Sequence, residues 1–358
     1  LQMNYRENYL KAARFDGPEF IPVTFNVIPA VKLQHGRDIG KLMAKHKRLF
    51  PDYKEGDTNP GNIKLDDFSK KDIINTDSWG VKWQTAIDGI VPVAIEHPLQ
   101  SWDVFENYNP PDPEIYDYWD KINWDAIRGQ IRAQKEKGDL TTGRIIHGFM
   151  FLYLTYIRGY ENIIFDMADE EENLPKLIGM LSDFAAYQVD KYVSFGFDVM
   201  RYPEDLGMQN CPMLSPGDFR KYIKPAYQTL MQKAKDRQVL VHLHSDGYLR
   251  DLMEDILECG VDILNLQDQV NGIDWMAEQL KGRGSIHLDI DRQDITVNGT
   301  PKDIDDHIRN AVDKLNDARG GFMLNYGLYP GVPLENADAV MDAFEKYCLA
   351  GSTGSNPA

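Results

Sequence analysis

The stretch Val239-Leu240-Val241-His242-Leu243-His244-Ser245-Asp246-Gly247 is an apolar run that turns polar on one side just before a glycine. Side chains of an extended strand alternate between its two faces. Val241 and Leu243 therefore share one face, while His242, His244 and Asp246 share the other. Strands of an open parallel sheet are apolar on both faces, because helices cover both. A face that becomes polar toward the C-terminal end fits a closed barrel, whose outer face packs on helices and whose inner rim carries the active site. The stretch Ser285-Ile286-His287-Leu288-Asp289 repeats the pattern, with Ile286, Leu288 and Ile290 opposite His287, Asp289 and Asp291.

Outward from these two runs the same rhythm extends in both directions. Arg144–His147, Asp198–Tyr202, Asp262–Leu266 and Phe322–Tyr326 are short apolar runs separated by amphipathic segments. Ser215-Pro216 and Thr300-Pro301 each offer an N-cap followed by proline at the first helical position. Gly196 and Gly260 stand where helices should stop. Strand–helix alternation repeated about six times implies a parallel sheet. The first 140 or so residues are less regular. They hold the strand-like Phe20–Phe25, a hairpin of Ile73–Thr76 and Val81–Gln84 about the turn Asp77-Ser78-Trp79-Gly80, and the extended connection Asn109–Pro113. The expected fold is α/β: a (β/α)8 TIM barrel with an elaborated N-terminal region, one domain over residues 1–350 and a flexible tail over 351–358.

Composition narrows the function. The 358 residues are 42% hydrophobic, enough for a large core. Asp and Glu exceed Lys and Arg by 56 to 39, giving a net charge of −17 that disfavours nucleic acid and anionic lipid as partners. No run approaches 18 apolar residues, so no membrane span is expected. Cys211, Cys259 and Cys348 form no CxxC pair and suit a reducing cytoplasm, the expected location. Phosphate-binding, dinucleotide-binding, nucleophile-elbow and HExxH signatures are all missing. The run Asp169–Glu172 reads as the solvated, acidic start of a helix.

Chemistry is expected where the strands end. Imidazole and carboxylate are ligands for zinc or a similar divalent ion. Residues i and i+4 of one strand lie about 13 Å apart, so His242, His244 and Asp246 cannot all reach one ion. His244 with Asp246 is a feasible pair, and His242 reads equally as a core histidine. After the preceding run comes Tyr202-Pro203-Glu204-Asp205, with Glu204 on the face of Tyr202. Glu204 and Asp205 are the expected acids, and Glu204 also a third ligand beside His244 and Asp246. Trp79, His147, Tyr202, His287, Asp289, Asn325 and Tyr326 are expected to line the substrate site.

These pieces resemble a known family. Thr76-Asp77-Ser78-Trp79-Gly80, His97-Pro98-Leu99, Arg158-Gly159-Tyr160-Glu161-Asn162, Glu204-Asp205-Leu206-Gly207, Leu214-Ser215-Pro216, His244-Ser245-Asp246-Gly247 and Pro333-Leu334-Glu335-Asn336 are similar to the uroporphyrinogen decarboxylase superfamily. That group of (β/α)8 barrels includes decarboxylases and cobalamin-dependent methyltransferases. The sequence departs from the decarboxylases at Ile21-Pro22-Val23-Thr24-Phe25-Asn26-Val27, where their arginine-rich tetrapyrrole clamp is missing. It departs from the thiol methyltransferases by placing Asp246 at a cysteine position. A nitrogen–oxygen ligand set leaves zinc more Lewis acidic than thiolates do, which suits an ether or phenol oxygen. The resemblance then implies a corrinoid-dependent methyltransferase of the O-demethylation type. It would take methyl from a small methoxylated donor, aromatics included, and pass it to a corrinoid (cobalamin) on a separate carrier protein. A decarboxylase or lyase acting on a smaller acid without metal is the alternative, and homodimer formation is left open.

Overall fold

A computed structural model describes residues 4–349. The tail expected over 351–358 lies outside the described residues. Among the described residues ten strands are formed: β1 Val23–Val27, β2 Asn75–Thr76, β3 Lys82–Gln84, β4 Val93–Glu96, β5 Thr142–Arg144, β6 Val199–Asp205, β7 Leu240–Asp246, β8 Ile263–Gln267, β9 Ser285–Asp289 and β10 Phe322–Leu328. The chain gathers into two compact units. One comprises the chain up to Ile73, Thr85–Pro92 and everything from Asn265 on; the other comprises Ile74–Gln84 and Val93–Leu264.

In the first unit the strand order is β1-β10-β9-β8, with β1, β10 and β9 parallel. In the second it is β8-β7-β6-β5, again parallel where β5, β6 and β7 pair, and the division falls within β8. The strands thus belong to one α/β sheet of seven. Every residue of β9 is buried, and β7 is buried as far as Leu243. That matches strands covered by helices on one side and by other side chains on the other. The expected hairpin is present as antiparallel β2 and β3, extended by β4 into a separate three-stranded sheet.

Helix signals act where they were read. Ser215 accepts a hydrogen bond from the Asp218 N–H, and Thr300 forms a capping box with Asp303 ahead of Pro301–Leu315. Gly196 and Gly260 take positive φ just past Leu174–Ser194 and Met253–Glu258. The acidic run is a correction. The helix Tyr160–Ala168 closes before Asp169, and the next opens only at Leu174, so the run forms the connecting turn. Glu170 there has φ +55° and pairs with Lys221 at 2.6 Å. Among the described residues no helix is long and apolar enough to cross a membrane.

Candidate metal centre

Strands β6 and β7 run in register, so Arg201, Pro203 and Asp205 lie beside His242, His244 and Asp246. The period of two puts all six on one face and puts Met200, Tyr202 and Glu204 on the other. The strand ends are locked together. The Asp246 N–H donates to Asp205 Oδ1 at 2.9 Å, and the Leu206 N–H donates to Ser245 Oγ at 2.9 Å. Beyond them Gly207 and Gly247 meet backbone to backbone. A Cβ on Gly247 would lie 2.2 Å from the Gly207 carbonyl carbon.

The third member comes from the turn after β5. That strand ends at Arg144, so His147 stands on a turn rather than on the strand expected there. Gly148, with φ +80°, donates its N–H to the Pro203 carbonyl at 2.8 Å and ties the turn to β6. His147 Nε2 then lies 3.4 Å from Asp205 Oδ2, and His244 Nε2 lies 3.7 Å from Asp205 Oδ1. The two imidazole centroids are 5.8 Å apart. One ligand atom from each of His147, Asp205 and His244 falls within 4.8 Å of the other two.

These spacings fit a divalent ion. Zinc holds nitrogen and oxygen ligands at about 2.1 Å, so neighbouring ligands of a tetrahedron stand about 3.4 Å apart. The two contacts to Asp205 are close to that length. Asp246 Oδ1, 3.6 Å from His244 Nε2, flanks the group. Asp205 is the hinge of the cluster electrostatically. Burial raises its carboxyl, but His147, His244 and the Asp246 N–H outweigh burial and hold it below the usual value. Burial likewise opposes charge on His147, yet the Asp205 carboxylate raises it overall.

Glu204, the expected third ligand, is elsewhere. It is fully buried and faces the helix Phe151–Arg158. Its Oε2 accepts the N–H groups of Met150 and Phe151 and the hydroxyl of Tyr227, and its Oε1 accepts the Leu152 N–H. It therefore satisfies donors at a helix start that hydrogen bonds within the helix leave open. Burial pushes its carboxyl up to about 7, against those N–H donors. The strand continues straight through Pro203 to Asp205, so Asp205 shares the face of His242 and His244.

Three other expected site residues are core. Trp79 is 1% exposed among Tyr118, Tyr153 and Phe184. Tyr202 is buried on the helix side and donates to the Leu230 carbonyl. Tyr326 packs on Phe25 and donates to Thr296 Oγ1. In the first unit, Asp289 at the end of β9 accepts from Asn325 Nδ2 at 3.1 Å and from Arg292 at 2.8 Å. His287 is buried on the same strand, its carbonyl bonded by Asn265.

Tyr156 escapes a reading of the sequence alone. Its ring lies 3.2 Å from where a Cβ on Gly148 would stand, beside the His147 turn. It meets Trp83 edge to face at 4.7 Å. Trp83 in turn donates its indole N–H to Asp77 Oδ2, which also receives the Tyr153 hydroxyl. Burial raises the Tyr156 phenol well above its ordinary value, so it remains protonated. The signal available was the spacing of Tyr153 and Tyr156 on one helix face.

Residues 77–347 match the family profile described as uroporphyrinogen decarboxylase (URO-D). Uroporphyrinogen decarboxylases from two strains of Thermus thermophilus are each 30% identical over 138 residues, 37% of this chain. That match spans 38% of the length of either relative. A methyltransferase from Methanosarcina mazei has the same fold at 15% identity, with a TM-score of 0.67 over 97% of this chain and 99% of that one.

Proposed function

The chain belongs to the uroporphyrinogen decarboxylase family, and on that premise we propose that it is a metal-dependent methyltransferase. Its donor is a small methoxylated compound, aromatic by preference, and its acceptor is a corrinoid carried by a separate protein. One observation carries the reading: His147, Asp205 and His244 converge at the ends of adjacent strands as an open nitrogen–oxygen ligand set. Zinc held there would supply positive charge to an oxygen that leaves with a bonding electron pair. The methoxy carbon–oxygen bond breaks, the methyl group passes to the corrinoid, and the freed oxygen takes a proton from water.

The chain's own residues account for the rest of the reading. His147 and His244 offer Nε2 as ligand atoms, which requires both rings to be neutral at that nitrogen. Asp205 contributes a carboxylate already ionised by its neighbours. Tyr156 and Trp83 form an aromatic wall beside the His147 turn and suit a ring-bearing donor. Strand β1, Val-Thr-Phe-Asn-Val, carries no cation to grip a polycarboxylate tetrapyrrole. The name of the Methanosarcina protein points the same way. The fold that accompanies this proposal is a closed (β/α)8 barrel.

The test is incubation of zinc-loaded protein with reduced corrinoid and a panel of methoxyarenes, followed by the absorbance of methylated corrinoid. Formation of that product, abolished by His244→Ala, is the expected result. The names of the Thermus relatives favour a decarboxylase instead. Release of carbon dioxide from a carboxylic acid without corrinoid or metal would decide for it.

A further inference from the structure

A second feature lies in the first unit. Between Lys32 and Arg48 stand six lysines and arginines but one acid, Asp38, in a chain whose acids outnumber its bases by 56 to 39. The helix Arg37–Lys45 occupies the middle of this basic island. Lys45 is committed elsewhere, to Asp338 and Asp342. Arg37, Lys41 and Lys47 instead line a cavity of about 700 Å³. Arg37 and Lys47 have no ion pair among the described residues. Lys41 pairs with Asp38 at 2.7 Å, but both side chains are largely exposed, so the pair is weak and easily exchanged.

The inner wall of the cavity is built for a polar guest. Gly40 brings two hydroxyls against the helix: a Cβ there would lie 2.5 Å from Tyr53 Oη and 2.6 Å from Thr58 Oγ1. Thr58 is 1% exposed, Tyr53 is half-buried, and both line the cavity. Both hydroxyls thus stand at the cavity side of the helix, where a polar guest can reach them. The loop that carries them is held by its own bonds. Asp57 caps the Lys54 N–H, and Asn62 Nδ2 bonds the Gly56 carbonyl. Phe50, wedged edge to face against Phe25, anchors the base. Glu55 is the one carboxylate on the lining.

We propose that this cavity binds a small phosphorylated molecule, with the phosphate between Arg37, Lys41 and Lys47 and the hydroxyls of Tyr53 and Thr58. Phosphate oxygens accept several charge-assisted bonds at once, which three cations and two hydroxyl donors can supply. The volume lies within the range of small-molecule sites and exceeds that of phosphate alone, leaving room for the rest of the molecule.

Calorimetric titration of the full chain with pyrophosphate, inorganic phosphate and citrate tests the proposal. Pyrophosphate should bind saturably and weaken as salt rises. The double substitution Arg37→Ala, Lys47→Ala should cost at least about tenfold in affinity. Gly40→Ala should also weaken binding, because its methyl group displaces the two hydroxyls while alanine suits a helix. Lys32→Ala, in the same basic island but outside the lining, should leave affinity unchanged. No saturable binding of pyrophosphate by about 10 mM would overturn the proposal. So would equal losses from Lys32→Ala and the lining variants, or citrate binding as tightly as pyrophosphate.

Discussion

Replacing Glu204 with glutamine separates its role as a helix anchor from a role as ligand. An amide oxygen facing Met150, Phe151 and Tyr227 keeps three of the four hydrogen bonds. The amide NH₂ then confronts the Leu152 N–H, which loses its acceptor. A buried donor left unpaired costs about 1–3 kcal/mol. A second effect runs with pH. Burial raises the native carboxyl from 4.5 to about 7. At 1.36 kcal/mol per pKa unit that shift corresponds to about 3 kcal/mol. Because the native state holds this proton more tightly than the unfolded chain, the wild type loses that stability as pH rises from about 4.5 through 7. Glutamine has no proton to lose. The metal-free variant should therefore be less stable than wild type by about 1–3 kcal/mol near pH 4.5, with the gap closing or reversing by pH 8. Urea midpoints of both proteins, measured in chelator across this range, give the difference directly. Zinc titration of the same variant should show near-native affinity, since Glu204 lies outside the ligand cluster. A gap that stays constant with pH, or loss of zinc with stability intact, would refute the anchoring role.

Three further outcomes are expected. Alanine at His147 or His244, or asparagine at Asp205, should weaken zinc binding by on the order of 100-fold or more, because changes even to outer-shell partners cost 10–100-fold; competition with a chromogenic chelator measures it. Gly247→Ala should destabilise the chain by roughly 3 kcal/mol or more and weaken zinc binding, since φ is +84° and the new methyl group would meet the Gly207 backbone; thermal midpoints and the same zinc assay report both. Burial opposes charge on His307, but Asp268, 2.6 Å from its Nε2, raises its pKa overall. The stability this pair adds is fully present below pH about 6.5 and is lost as pH rises through the raised native value. The urea-midpoint difference between wild type and His307→Gln should shrink on the alkaline side.

The strand register explains where the sequence could be read and where it could not. The alternation along Leu240–Asp246 is a local property, so the shared face of His242, His244 and Asp246 is legible from spacing alone. The same rule puts Glu204 with Tyr202, and the structure keeps them together. What spacing cannot say is which of the two faces looks toward helices. Tyr202 and Glu204 both reach helices, one bonding Leu230 and the other the start of Phe151–Arg158. Their face is therefore the covered one, and Asp205 takes the place expected for Glu204. Trp79 and Tyr326 fail as site residues for a related reason. An aromatic beside a strand end reads alike whether it lines a site or fills the core, and only packing decides.

Local chemistry in the chain determines the alternating strands and helices, their caps, the hairpin around Asp77–Gly80 and the presence of His244 at a strand end. These depend on neighbours a few residues apart, through side-chain period, cap bonding and positive φ at glycine. Tertiary structure alone decides the company His244 keeps. Asp205 reaches it through the register of β6 on β7, and His147 through a turn tied to Pro203 by one backbone hydrogen bond. Contacts between residues 39 and 58 positions apart carry no local signature, because nothing in a short window of sequence records which strands will lie side by side.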